Sequence, residues 1–437
     1  MDSATRKTRL DELKNNNANV AMTGIPLRYA GDTTYVNVYK IPLEYLTYNK
    51  YNGRIGTEVQ SFEKQKYILD SEKENDRKII ENFLYKSKED RNKITMDSLR
   101  KIGQQRYGIV TSEGIIVDGN RRAMLLNKLF REREQLHLDY SEVEKCRFFL
   151  AIILPDYITK RDILQLETMY QMGEDEKLDY NPIEKYLKCK QLKEYFSEHD
   201  IAEFMGETES QIKKWLSILD LMEDYLNHYG YEGIYTRLEK REGPFVDLDR
   251  FLGAYADSKV RNVDWYYEDS DINDLKIVCF DYIRARYEGK EFRDIADSGT
   301  RGSIFVNHDI WESFFKEHSE NILLNDEPTV EEIKENRPGE DLSELLRARD
   351  TEWESRVKDF LEGNIKKHIR KLEDKRDSDK PYVLLSRAYN ALCSIDMEQN
   401  SFYDDPNILE KVKDINTIVW EMKKCLDRGK KTSSCQK

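Results

Sequence analysis

Strand-forming sequence in this chain ends at Pro155, and that boundary constrains the fold more than any other feature. Before it, "YVNVYKIPL" (35–43) alternates and is rich in β-branched and aromatic residues, the mark of a strand. "RYGIVTSEGIIVDG" (106–119) sets two short apolar runs on either side of Thr111-Ser112-Glu113-Gly114, the pattern of a β-hairpin. "CRFFLAIILP" (146–155) reads as a buried strand. Between these runs lie a charged, helix-favouring stretch, 59–103, and a helical pattern from 120 to 134. Strands alternating with helices in this way predict one small α/β domain over 31–157.

Past that point the pattern is helical. It divides into a helical module (158–235), a mixed, mostly helical region (236–324) and a helical C-terminal domain (342–437). Two prolines, a glycine and many acids mark 325–341 as a linker. Residues 1–30, polar and Asn-rich, read as a loosely held arm. In "WESRVKDFLEGNIKKHIRKL", Trp353, Val357, Phe360, Leu361, Ile365, Ile369 and Leu372 fall on one helical face, as a packing or oligomerisation surface would. The expected fold is therefore α/β followed by all-α.

Composition narrows the partners. The 437 residues carry a formal net charge of −13, which repels nucleic acid and anionic membrane, so a DNA contact needs a local basic patch. The longest apolar run, "FFLAIIL" (148–154), is too short to span a bilayer, and the N-terminus has no signal-peptide core. Six cysteines lie singly, without a C-x-x-C pair, and six histidines are dispersed. That usage fits a reducing cytoplasm and gives no zinc site.

"IIVDGNRRAML" (115–125) carries the clearest chemistry. A strand reaches Asp118-Gly119-Asn120, and the helix that follows puts Arg121 and Arg122 in its first turn, where cations are mildly penalised. Asp118 or Asn120 can cap that turn, and Gly119 permits a backbone conformation closed to other residues. Free N–H groups, a helix dipole and two guanidiniums form an anion site that suits phosphate. The alternative on spacing alone is two solvated arginines paired with nearby acids.

"IIVDGNRRAMLL" resembles the G-E-R-R-x-x-A signature of ParB partition proteins, within the ParB/sulfiredoxin superfamily. Three other segments resemble that family in its order: "VYKIPLEYLTYNKYNGR" (38–54), "LETMYQMGEDEKLDYNPIEKYLKCKQL" (166–192) and the helix-turn-helix "HDIAEFMGETESQIKKWLSILDLM" (199–222). The resemblance covers 35–230. It implies that Gly119, Asn120, Arg121 and Arg122 cradle the triphosphate of CTP or ATP, with Mg, and that Arg54 and Asn52 line the pocket. Asn120 stands where ParB has Glu and where sulfiredoxin has its reactive cysteine, which excludes sulfinic acid reduction. Glu167 matches a family Glu that helps hold metal and phosphates, but Thr168 replaces the following Asn.

Several acids crowd the helix-turn-helix, against Lys213 and Lys214 as its DNA-facing cations. The leading expectation is a nucleotide-binding regulatory protein acting on or near DNA, in partition, transcription or phage defence. It would assemble as a homo-oligomer or with a partner protein through its helical C-terminal region. The rivals are a nuclease or ATP-dependent phosphotransferase using Asp118 and Glu167, and a non-catalytic scaffold.

Overall fold

A computed structural model describes residues 1–29, 32–172, 181–257, 263–297, 299, 302–325, 327–376, 381–398, 402–403 and 405–433. The chain divides into two compact units, Met1–His368 and Ile369–Lys437.

The first unit begins with a mixed six-stranded sheet. Its strands are β1 (Val20–Tyr29), β2 (Asp32–Pro42), β3 (Thr47–Tyr48), β4 (Gly108–Val110), β5 (Ile115–Asp118) and β6 (Phe148–Ile153), in spatial order β1-β2-β6-β4-β5-β3. The hairpin expected at 106–119 is the antiparallel β4–β5 pair, with Ile109 opposite Asp118. β6 runs antiparallel to β2 and parallel to β4, so "CRFFLAIILP" lies at the centre of the sheet, as a continuous apolar run should.

Period-2 alternation splits the core. Ile41, Val110, Ile116, Phe149 and Ala151 face one side, where they pack with the helices α2 (Gly56–Gln65), α3 (Glu74–Lys86), α4 (Glu89–Ile102) and α5 (Asn120–Arg131). Val38, Ile109, Val117 and Ile152 face the other side, with Leu166 of α7 (Lys160–Met172). One short helix, α6 (Tyr140–Val143), precedes β6.

The N-terminal stretch differs from the loose arm expected there. Residues Ser3–Lys14 form α1, which buries Leu10 and Leu13, and β1 extends the sheet by pairing with β2. Arg6 is only 2% exposed, its guanidinium held by both carboxylate oxygens of Glu72 and by the carbonyl of Glu113. Long-range pairing anchors this segment, and its polar composition conceals that.

Helices make up the rest of the unit: α8 (Pro182–Lys193), α9 (Glu198–Met205), α10 (Glu209–His228), α11 (Glu242–Ala256), α12 (Asp269–Arg284), α13 (Phe292–Ala296), α14 (His308–Leu324), α15 (Val330–Asn336) and, as far as His368, α16 (Leu342–Arg376). The stretch 325–341, expected to be a linker, carries α15 with Val330 and Ile333 buried. In α16 the stripe Trp353, Val357, Leu361 and Ile365 is buried within the unit. The second unit contains α17 (Pro381–Cys393) and α18 (Pro406–Ser433). Among the described residues no helix is long and apolar enough to cross a membrane.

Candidate functional site

The turn between β5 and α5 is set by packing. Gly119 has φ +97°, and a Cβ there would sit 2.7 Å from the ring of Phe149, so only glycine fits. No side chain caps α5. The expected caps are used elsewhere. Asn120 is buried; its Nδ2 donates to the carbonyl of Ile116 at 2.9 Å and its Oδ1 accepts from the Asn49 N–H at 2.9 Å. It latches the loop after β3 onto β5. Asp118 pairs with Arg122, Oδ2 to Nη2 at 2.8 Å.

The two arginines have separate jobs. Arg122 folds back over the sheet edge and also donates through Nη1 to the carbonyls of Arg106 (2.6 Å) and Tyr107 (3.2 Å). Arg121 reaches the other way, donating to the Thr95 hydroxyl on α4 at 3.2 Å. One turn before Thr95 lies Arg91, and Lys88 is the N-cap of the same helix. The Lys88 ammonium is held below its ordinary pKa, first by burial and then by the charges of Arg91, Arg54 and Arg121. Arg54 comes from the loop after β3, where Asn52, itself buried, accepts from the Arg54 N–H at 3.1 Å.

Four cations from three segments therefore converge at the first turns of α4 and α5, where two helix dipoles add positive potential. Glu89 and Asp90, both exposed, share the first turn of α4. Of these cations Arg54 and Arg121 were anticipated from sequence. Lys88 and Arg91 were missed, because "KSKEDRNK" cannot be told from a solvated helix face without its three-dimensional neighbours.

Glu167 does not face this cluster's chemistry as a free carboxylate. It forms an ion pair with Lys188 at 2.6 Å, the two side chains only 3% and 2% exposed. Asn49 and Gln171 approach its other oxygen at 3.5 Å each. Thr168, where the family has Asn, bonds within its own helix to the carbonyl of Leu164. Residues 173–180, inside the family-like segment 166–192, lie outside the described residues.

The N-P-I-E stretch has a structural task. Asn181 caps α8, Pro182 opens it, Ile183 is buried, and the Glu184 carboxylate crosses to cap α2. Its Oε1 accepts from the N–H and the hydroxyl of Thr57, at 2.9 and 2.6 Å. Burial nevertheless pushes the Glu184 carboxyl up to about 8.

Two helices joined by a short turn occupy the segment expected to be a helix-turn-helix. Gly206 (φ +62°) closes α9, and Thr208 caps α10 by accepting from the Gln211 N–H. Lys213 and Lys214 are both exposed on α10. Lys213, however, is drawn to Glu209 (2.7 Å) and Glu198 (3.7 Å), so its charge is largely spent. Among the described residues no group of three or more His, Cys, Asp or Glu side chains could hold a metal ion.

No protein-family model matches the chain, and comparison with curated proteins gives no match.

Proposed function

We propose that this chain is a nucleotide-binding regulatory protein acting on or near DNA, in which a CTP or ATP triphosphate is held by Arg54, Lys88, Arg91 and Arg121. The observation that carries this reading is the gathering of those four cations at two helix N-termini, in a chain whose net charge is −13. The likeness of "IIVDGNRRAMLL" to the ParB signature supports the same reading. In this reading Gly119 lets the chain approach the ligand, while Asn120 and Arg122 hold the turn.

The site favours binding over hydrolysis. Asp118 and Glu167, the candidate bases, are each paired to a cation, Arg122 and Lys188. Any Mg would ride on the phosphates rather than on Glu167. The helix-turn-helix supports a role near DNA, while the acids around Lys213 make α10 a poor reader of base edges. Self-association or partner binding falls to α18, which exposes Leu409, Val412, Ile418, Val419, Trp420 and Leu426.

A thermal-shift panel of CTP, ATP, GTP and inorganic triphosphate tests the site, since a ligand of the native state raises the transition temperature. One nucleoside triphosphate is expected to stabilise the chain, and Arg121→Ala or Lys88→Ala to abolish the shift while leaving the far-UV spectrum unchanged. The absence of any shift at millimolar concentrations would sink the proposal. A shift that survives both substitutions would move the ligand elsewhere.

A further inference from the structure

A cationic cavity lies in the helical region, outside the family-like segments. Its volume is about 420 Å³, and Arg237, Lys240, Arg241, Arg286 and Arg347 line it. They come from the 3-10 turn Tyr235–Leu238, the entry to α11, the turn after α12, and α16. The cavity opens at the N-terminus of α11, whose first turn no side chain caps. Ile283 and Tyr287 supply an apolar wall.

Two acids also line the cavity, Glu239 and Glu288, and Glu288 is drawn off to Lys290 at 2.7 Å. Cations outnumber acids in the wall, against the sign of the whole chain. Lys240 and Arg347 are exposed. Arg286 is tied to Glu354 at 3.3 Å, and Arg241 donates to the Tyr225 hydroxyl at 2.7 Å.

Arg237 stands behind this wall. Its side chain is only 9% exposed, and Asp350 engages its Nη2, yet its Nε–H is buried with no acceptor. Its charge is answered by Asp350, so the cations open to a ligand are the exposed Lys240 and Arg347. An ammonium and a guanidinium together favour an oxyanion, which Arg347 can grip in a bidentate manner. The apolar wall fits an organic body attached to it.

We propose that this cavity is a second ligand site, for a small organic phosphate, separate from the cluster around Arg121. The test uses the full chain carrying Arg121→Ala and Lys88→Ala, so that binding at the first cluster is removed from the reading. Calorimetric titration with inorganic pyrophosphate, ribose 5-phosphate and a nucleoside monophosphate reads the second site and separates charge from body. At least one is expected to bind at millimolar concentration or below. Lys240→Glu with Arg347→Glu is expected to weaken that binding roughly tenfold or more. Lys73→Glu with Lys78→Glu, the same charge change on exposed lysines outside the cavity, is expected to leave it within about twofold. No binding by any of the three probes overturns the proposal. So does equal weakening by the cavity pair and the control pair.

Discussion

Two adjacent arginines with the same side chain do opposite work, which makes Arg121 and Arg122 the sharpest test at the scale of single residues. Arg122 is three-quarters buried, bound to Asp118 and two backbone carbonyls. Arg122→Ala strands those acceptors, and urea unfolding is expected to show a loss of about 1–3 kcal/mol. Arg121→Ala, which removes a half-buried side chain donating to the Thr95 hydroxyl, is expected to cost less than that, about 1 kcal/mol or below. Equal losses would mean that the cluster is fold architecture and not a ligand site. Glu184 gives a pH test. Its folded pKa is raised to about 8 from an ordinary 4.5, so its protonated form is favoured in the folded state. Stability from this group is fully present below about pH 4.5 and is lost as pH rises through about 8. Glu184→Gln keeps an acceptor for Thr57 and is expected to flatten the fall in unfolding free energy between those limits. A slope unchanged by the substitution would assign it to other groups. Sequence showed the residue types at this site. It could not show which arginine turns inward, because Arg106 and Tyr107 come near only once β4 and β5 are paired.

Elements were legible where one physical rule governs them. Alternation located β2, short apolar runs located the β4–β5 hairpin and β6, and helical spacing located α5. β1 and α1 were not legible, since their stability comes from β2 and from the Arg6–Glu72 pair far along the chain. The succession of α9 and α10 was legible from Gly206 and Thr208, whose local chemistry ends one helix and starts the next. Its charge balance was legible too, but the pull of Glu198 on Lys213 needed the fold. The β5–α5 turn shows how one element depends on another. A methyl group at Gly119 meets a left-handed backbone and the Phe149 ring on β6 together. Gly119→Ala is therefore expected to cost more than the ~1 kcal/mol of a left-handed penalty alone, in the range of about 2–4 kcal/mol. Urea unfolding checks it, and a loss under about 1 kcal/mol would mean that the turn has room to relax.

For the first unit as a whole, the decisive feature is a buried ionic network that no motif announces. The Asp350 carboxylate on α16 receives Arg284 of α12 at 2.8 and 3.0 Å, together with Arg237 and the Tyr231 hydroxyl. Glu327 joins through Arg284 at 2.5 Å, and Arg349 donates to the Pro328 carbonyl at 3.1 Å. The Arg284 guanidinium also lies over Trp353, 4.4 Å from its ring centre. This is why 325–341 is not a linker: its composition is that of a loop, but Glu327 and the Pro328 carbonyl are fastened to a network assembled from 231 to 350. Burial would raise the Asp350 pKa, yet Arg284 and Arg237 outweigh it and hold the carboxyl below its ordinary value. The group therefore lends stability above the ordinary carboxylate pKa and loses it as pH falls through the folded value. Asp350→Asn removes the charge that answers two buried guanidiniums while nearly preserving shape. Breaking a buried pair from one side costs about 3–5 kcal/mol, and that loss is expected at neutral pH in chemical unfolding of the full chain. As pH falls below the folded pKa of Asp350, its carboxyl is protonated in the parent as well, so the gap between parent and variant must narrow. A gap that stays constant into acid would place the stabilisation in packing around Asp350 rather than in its charge.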